Sequence, residues 1–563
     1  MEKSSIIHIP ENVFAYPIGK DTLNVRIKSK KGDLQSVKIF YKNLYDHTDV
    51  MASKTMDLIL RDEQTDLFET TIQIEEKHFK YYFQLTGKTQ VLNYTADGYI
   101  DFPTETNCFY YPMINTDEVL SLPKWAEGEI IYQLLVDRFN DGDSTNNPPN
   151  VKAVSELPDR NTYYGGDFDG IIQKLDYIKS LGAKIIYLSP VFKSPSYHKY
   201  DISDYYEIEA IYGGKIGLQN LVKKAHDMGI RIILDGVFNH CSYQNPLFQD
   251  LLTNQQNSPY CNWFEPYSFP VSFEKGNYNN FANLVPQMPR FNTANPDVIE
   301  FLTEAALFWT KELGIDGWRL DVADEVSSAF WHQFHNKLKL YNPELLIIGE
   351  IWSFAGKWTL GDQLDTVTNY KFRKWLLDFV AKKIDSSTFF AKMAGIKMLY
   401  KTPIHNYLVN LIGSHDTERA IRTIGNQKDF FLTMGTTLLL DGMPLIYYGD
   451  EYGMDGGKDP TNRRAMDWSQ TKTTEAKWIR EIALLRSNSD TLKKGSIQAL
   501  KSPATILDFL RIYEEEELEV IVNFSEEAYK INKKNGILLI GDITKSDECI
   551  IVDAKSLVVF RLN

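Results

Sequence analysis

This sequence predicts an α/β chain built around a (β/α)8 barrel, with a β-sandwich before it and an antiparallel β-domain after it. Three observations carry that prediction. Eight apolar strand segments alternate with helical segments between about residues 123 and 495. Period-two alternation fills the residues before them and returns after them. Four of the eight segments also place a carboxylate or a histidine at their ends. They read DGVFNH (Asp235 to His240), GWRLD (Gly317 to Asp321), IIGEIW (Ile347 to Trp352) and GSHD (Gly413 to Asp416). A barrel gathers the C-terminal ends of its strands into one mouth, so these groups should converge.

The first domain is expected over residues 1–122. In TLNVRIKSKKG the apolar Leu23, Val25 and Ile27 alternate with Asn24, Arg26 and Lys28, the pattern of a half-buried strand. VKIFYKNLY and TTIQIEEKHFKYYFQLTGK continue it, and SLPKWAEGEI reads as the linker out. The barrel is expected over residues 123–495. Its strands are EIIYQLLVDRF, KIIYLSPVF, IRIILDGVFNH, GWRLDVAD, LLIIGEIW, LDTVTNY, YLVNLIGSHD and PLIYYGDEYG. IIQKLDYIKSLG, GLQNLVKKAHDMG and PDVIEFLTEAALFWTKELG fall between them as helices, closed by Gly. Residues 241–292 are too long for a simple loop and predict a small excursion on the mouth side. From residue 496 to 563, ATILDFLRIY, LEVIVNF, GILLIGD and SLVVFRLN predict a C-terminal β-sandwich. The acidic run Glu514 to Glu517 reads as a solvated turn between two of these strands.

Composition narrows the partners. A formal charge of −14 argues against nucleic acid or an anionic membrane. No apolar run is long enough to span a bilayer, and the N-terminus lacks the apolar stretch of a signal peptide. The four cysteines show no C-x-x-C spacing, which suggests neither a zinc cage nor a redox pair, and their low count fits a reducing cytoplasm, the expected location. The 13% of aromatic residues suits flat apolar ligands such as sugar faces.

The carboxylates suggest the chemistry. Asp321, Glu350 and Asp416 each end a different strand. Breaking a glycosidic bond needs one acid to protonate the leaving oxygen and a second carboxylate to attack or to activate water. Arg319 lies two residues before Asp321, so the two share a face of the strand, where an arginine would keep Asp321 ionised. Any single Asp at a strand–helix turn could instead be a helix cap. Four such ends together with Arg319, His240 and His415 are poorly explained that way.

At these residues the sequence resembles the α-amylase superfamily, glycoside hydrolase family 13, whose four signature regions match the four segments. The resemblance implies that Asp321 is the nucleophile, Glu350 the general acid/base and Asp416 a third carboxylate gripping sugar hydroxyls. Arg319, His240 and His415 match residues that touch the sugar at the cut, and Asp235 and Asn239 a structural pair. His198 and Tyr200 in SYHKYD match a histidine and a stacking tyrosine there. MPRFN (Met288 to Asn292), GWRLDVADEV and GGKDPTNRRAMDW are similar to segments of the neopullulanase, cyclomaltodextrinase and maltogenic amylase group. That implies Glu325 near the acceptor sugar and Asp459 and Arg463 on sugar hydroxyls away from the cut. Ser353, Asp324 and Phe291 depart from the group, which often carries His, Asn and Leu there. The first tryptophan is Trp125, so an N-terminal sugar platform would have to use Tyr41 or Tyr45.

RFNDGDSTNNP offers Asp141, Asp143, Asn146 and Asn147, followed by the GGD of Gly165 to Asp167. Hard oxygen donors suit Ca²⁺, and the same residues suit an ion-free Asx turn. The resemblance implies calcium, with the Gly165 carbonyl and Asp167 completing the site. It also implies a homodimer in which the N-terminal domain covers the partner's mouth. The expected function is retaining hydrolysis of α-1,4-glucosidic bonds in cyclodextrins, maltooligosaccharides and pullulan or starch, with some transglycosylation. An α-glucosidase or glucosyltransferase on the same barrel, and a non-catalytic glucan-binding protein, are the alternatives. No Gly-rich phosphate loop follows a first strand, so neither a nucleotide nor an organic cofactor is implied.

Overall fold

Runs such as IYQL, IIYL and RIILDG carry apolar residues on both faces, and they become strands covered on both sides. The computed structural model describes residues 1–532, 535–545 and 549–562. The barrel strands are β1 (Ile131–Leu134), β2 (Ile185–Leu188), β3 (Arg231–Gly236), β4 (Gly317–Leu320), β5 (Leu346–Gly349), β6 (Thr366–Val367), β7 (Val409–Leu411) and β8 (Met443–Tyr447). All pair in parallel, in the order β6-β5-β4-β3-β2-β1-β8-β7. A parallel bridge from Thr368 to Val409 closes the ring. Each of the eight strand segments expected from sequence contains one of these strands.

The helices form where caps and periodicity agree. Pro296–Leu313 begins with the Asn295 side chain accepting from the Asp297 N–H, carries Pro at its first turn and ends on Gly314 at φ +65°. Its Val298, Leu302, Ala305, Ala306 and Trp309 are buried, an i, i+4, i+7 stripe facing the sheet. The βα alternation is not regular throughout. Between β5 and β6 there is only a 3₁₀ turn, Gly356–Trp358.

That irregularity has a packing cause. The chain divides into two compact units, and Phe354–Asp362 belongs to the unit that holds Met1–Leu122, together with Ser387–His405. Within this unit the Lys401 ammonium donates to the Leu360 carbonyl, at 2.5 Å. A Cβ on Gly356 would lie 2.7 Å from the Leu399 carbonyl oxygen. Short backbone contacts of this kind hold the segment without a helix of its own.

The same unit contains an antiparallel sheet that folds over on itself. Ala52–Arg61 pairs through its first half with Leu34–Asn43 and through its second half with Thr65–Gln73. Thr22–Lys30 and Phe79–Gly87 flank these, and Leu23, Val25, Ile27, Val37, Ile39, Phe79 and Phe83 form one core. A buried ion pair, Arg26 Nε to Glu69 Oε2 at 2.6 Å, sits at its edge. Arg26 also donates to the Tyr400 carbonyl and Thr402 Oγ1 to Glu69, both at 2.6 Å, which anchors Ser387–His405.

The second unit comprises Pro123–Ser353, Gln363–Ser386 and Asn406–Asn563, of which Asn563 lies outside the described residues. In it the expected excursion after β3 contains the helix Pro246–Asn254 and a hairpin of Asn280–Phe281 with Val285–Pro289. The bridge His240–Arg290 fastens it to the end of β3, and the bridge Phe264–Phe291 joins two of its own segments. The C-terminal region forms two antiparallel sheets, one of five strands and one of three, around Ile506, Ile521, Val552, Val558 and Phe560.

Candidate active site

Arg319, on β4, is the hub of the mouth. Its Nη1 donates to Asp321 Oδ1 at 2.8 Å and to Asp235 Oδ1 at 3.0 Å, and its Nη2 lies 2.9 Å from Glu350 Oε2. Three strands, β3, β4 and β5, therefore deliver their terminal carboxylates to one guanidinium. Asp235 is fully buried and also accepts from the hydroxyls of Tyr187 at 2.5 Å and Tyr200 at 2.8 Å. With one guanidinium and two hydroxyls donating to it, it acts as an anchor. Asp321 and Glu350 retain slight exposure, at 6% and 5%.

Glu350 accepts from the Val322 N–H at 3.0 Å on Oε2 and from Trp352 Nε1 at 3.0 Å on Oε1. Trp352 is half exposed and lies flat on Tyr370, with centroids 3.8 Å apart and planes 8° apart. Trp352 stands inside IIGEIW and Tyr370 closes LDTVTNY, but neither carries the charge that marks a strand-end acid. An exposed aromatic two residues beyond a strand-end acid was the available signal.

The third carboxylate is held by a histidine and an arginine. Asp416 Oδ2 is 3.0 Å from His415 Nε2, and Oδ1 is 3.4 Å from Arg463 Nη2. Burial opposes its charge, but His415, Arg463 and Arg319 outweigh burial and hold its carboxyl well below the usual range. Arg463 continues to Asp459 at 3.3 Å and to the Tyr197 hydroxyl at 3.2 Å, and Tyr197 donates to Asp459 at 2.9 Å. His198 is nearly enclosed, which lowers its pKa to about 4, and its Nδ1 faces the Tyr200 N–H at 3.1 Å. His240 is buried beside Phe281 with no partner for Nε2 among the described residues, and burial lowers its pKa to about 3. Glu325 lies at the rim, where Arg290 of MPRFN reaches it at 3.4 Å. Arg290 is thus a link between the excursion and the β4 loop that motif reading did not single out.

One expectation changes. Arg319 was expected to keep Asp321 ionised, yet burial pushes its carboxyl up, against the pull of Arg319 and with the charges of Glu350 and Asp235 adding to the rise. One guanidinium is divided among three carboxylates, so it cannot offset all of their mutual repulsion.

The loop after β1 also takes a definite form. Asp167 caps the helix Phe168–Gln173 and accepts from Gly142, Asp143 and Gly170 N–H groups and from Asn146 Nδ2. Asn147 Nδ2 donates to Asp141 at 2.7 Å. The side-chain oxygens of Asn146 and Asn147 are buried without a hydrogen-bond partner among the described residues. Gly165 sits at φ +77°, and a Cβ there would be 2.3 Å from Asn147 Oδ1. Two orphaned hard oxygens beside a glycine fit a cation. Among the described residues no group of three or more His, Cys, Asp or Glu could hold a metal, so amide and backbone oxygens would have to join Asp141 and Asp143 in such a site.

Carboxylates that converge on one arginine at the mouth of a (β/α)8 barrel, beside a charged grip for hydroxyls, define a glycoside hydrolase. Comparison with known proteins agrees. Residues 133–493 match the α-amylase catalytic domain, and residues 1–115 match the α-amylase N-terminal ig-like domain. A cyclomaltodextrinase of Thermoanaerobacter pseudethanolicus is 36% identical over the whole of both chains. Neopullulanase 2 of Thermoactinomyces vulgaris is 38% identical over 92% of this chain and 90% of its own. A solved cyclomaltodextrinase superposes with a TM-score of 0.93 at 31% identity, covering 100% of each chain. The chain belongs to the α-amylase family, in the group of cyclomaltodextrinases, neopullulanases and maltogenic amylases.

Proposed function

We propose that Asp321 attacks the anomeric carbon of an α-1,4-linked glucose while Glu350 protonates the leaving oxygen. The C–O bond to the leaving sugar breaks as the bond to Asp321 forms, giving a covalent glycosyl-enzyme. Glu350, now a carboxylate, takes a proton from water; the water oxygen bonds to the anomeric carbon and Asp321 departs. Two inversions leave the α configuration. A sugar hydroxyl in place of water gives transglycosylation. The observation that carries this reading is the single Arg319 guanidinium bonded to Asp321 on one side and Glu350 on the other. It holds the two carboxylates close, as a retaining pair requires (about 5–5.5 Å). Acid catalysis requires Glu350 to carry the proton in the reactive form.

Asp416, His415 and Arg463 supply acceptors and donors for hydroxyls of the sugar being cut, and Tyr200 and Trp352 supply flat faces. Asp459, Glu325 and His198 line the approaches. Relatives named cyclomaltodextrinase, neopullulanase and maltogenic amylase support cyclodextrins and maltooligosaccharides as substrates, with pullulan and starch as further ones. The test is a product profile on cyclodextrin, pullulan and starch, with NMR of the first-formed anomer. A β-anomer appearing first would overturn the mechanism, and no turnover of any of the three would overturn the substrate class.

The reading extends to a structural ion, an assembly and a location. Asn146, Asn147, Asp141, Asp143 and the Gly165 carbonyl would hold Ca²⁺, with Asp167 exchanging one of its N–H bonds to join them. The ion would stabilise the loop and take no part in bond breaking. Exposed Tyr45, Val50 and Phe102 on the N-terminal unit (66%, 77% and 86% exposed) are apolar side chains available to a homodimer interface. Light scattering of the intact chain and of Phe102→Asp tests this; a monomeric wild type would exclude it. Deleting residues 1–122 is a poor test, because it strips the packing from Phe354–Asp362 and Ser387–His405. A cytoplasmic location is supported by two relatives named intracellular maltogenic amylase, and among the described residues no helix is long and apolar enough to cross a membrane.

A further inference from the structure

We infer that Gln133 is a positioning residue that fixes His415 as the neutral tautomer carrying its proton on Nε2. Gln133 lies on β1, is 1% exposed and presents its Nε2 to His415 Nδ1 at 2.6 Å. The other ring nitrogen faces two groups. Asp416 Oδ2, at 3.0 Å, can only accept from it. The Tyr200 hydroxyl, at 2.6 Å, gives its own proton to Asp235 Oδ2 at 2.8 Å and so also accepts. His415 Nε2 must therefore carry a hydrogen.

What remains is the state of Nδ1, and Gln133 decides it. An amide N–H pointing at Nδ1 requires a lone pair there, which makes the ring neutral. The alternative would turn the amide so that its oxygen accepts from Nδ1–H, making an imidazolium. The backbone holds Gln133 in place for this role: its N–H and C=O lie in the barrel ladder, and its carbonyl accepts from Tyr448 N–H at 2.9 Å. The ring is further fixed by stacking on Tyr200, with centroids 5.2 Å apart and planes 10° apart. Gln133 Oε1 is left buried with no partner among the described residues. An amide that leaves its oxygen unpaired in order to aim its nitrogen suggests selection of one tautomer over hydrogen-bond economy.

The consequence is a chain of donors running from Gln133 through His415 to Asp416. It keeps one imidazole N–H aimed at the carboxylate and free of competing orientations. Gln133 is buried behind His415, so it acts through His415. This inference rests on the reading that His415 and Asp416 grip the substrate, but its first test does not.

Neutron diffraction from crystals of the full chain at neutral pH reads the hydrogens on His415 and the orientation of the Gln133 amide directly. The expected map has hydrogen on Nε2 and none on Nδ1. Hydrogen on Nδ1 would overturn the inference whatever the substrate is. The second arm is kinetic. Gln133→Glu offers only acceptors and should draw a proton onto Nδ1; Gln133→Met offers neither donor nor acceptor. Each should lower kcat about 10- to 100-fold while KM moves less than about threefold, the Glu variant more than the Met variant. Unchanged kcat in a folded Glu variant whose Nδ1 has gained hydrogen would also overturn it. A loss of activity in Asp321→Asn alongside these results keeps the reading of the site separate from the reading of Gln133.

Discussion

Val322 donates its backbone N–H to Glu350 Oε2 at 3.0 Å, and it does so from a left-handed conformation at φ +47°. A β-branched residue pays about 1–2 kcal/mol for that conformation. The turn aims the N–H that follows Asp321 at the neighbouring strand's acid. Oε2 is then occupied by Arg319 and Val322, so the transferable proton of Glu350 belongs on Oε1, the oxygen beside Trp352.

The two acids should separate by leaving group. Asp321→Asn should lose turnover on every substrate. Glu350→Gln should lose about 10²–10⁴-fold on glucans yet keep most of its glycosylation rate on α-glucosyl fluoride, whose leaving group needs no proton. Burst kinetics on the fluoride checks this, and equal losses on both substrates would contradict the assignment.

Trp352 should contribute through its face and through its N–H. Trp352→Phe keeps the stack on Tyr370 and removes the bond to Glu350; Trp352→Ala removes both. The Ala variant is expected to raise KM for maltooligosaccharides about 5- to 20-fold, the scale of one lost aromatic contact. The Phe variant should leave KM close to wild type and alter the pH dependence of kcat. Steady-state kinetics across oligosaccharide length distinguishes them.

Acid should unfold the protein through buried histidines. Burial lowers the pKa of His8 to about 3, of His240 to about 3 and of His198 to about 4, from an ordinary 6.5. Between pH 6.5 and those values the unfolded chain binds protons that the folded chain refuses. Stability is therefore complete above pH 6.5 and falls as pH drops, by up to about 1.4 kcal/mol per pH unit for each histidine. His8→Asn, whose amide can still donate to the Arg26 carbonyl, should reduce that slope by one proton. Denaturant titrations from pH 7.5 to pH 5 would show it, and an unchanged slope would exclude His8 as a source.

The β1 loop should respond to chelation. Removing calcium is expected to lower the melting temperature by about 5 °C while the rate at 25 °C stays within about twofold, because the loop is distinct from the carboxylates. Gly165→Ala forces a methyl onto Asn147 Oδ1 and a left-handed φ on Ala, and it should reproduce the loss without chelator. Calorimetry with and without chelator measures both.

Much of this was legible in the chain because it rests on local pattern. Apolar segments placed all eight barrel strands, and the segment from Pro296 to Gly314 already read as a helix closed by Gly. The four strand-end motifs marked Asp235, Asp321, Glu350 and Asp416, since a strand end in a barrel is a position in the mouth. The helix missing between β5 and β6 was not legible. Phe354–Asp362 takes its shape from residues about 40 positions later and from a sheet at the other end of the chain, and no local periodicity encodes that.

Sequence alone determined the fold class, the order of the elements and the identity of the carboxylates, because these follow from residue type and spacing along one strand. Tertiary structure decided how those charges share their partners. Burial in the closed barrel, with Glu350 and Asp235 alongside, raises Asp321 against the pull of Arg319, where the spacing along β4 alone expects it held low. Only closure sets Gln133 of β1 against His415, 282 residues away. Coulomb and hydrogen-bond energies depend on distance through space, and contacts between strands so far apart in the chain exist only once the ring has formed.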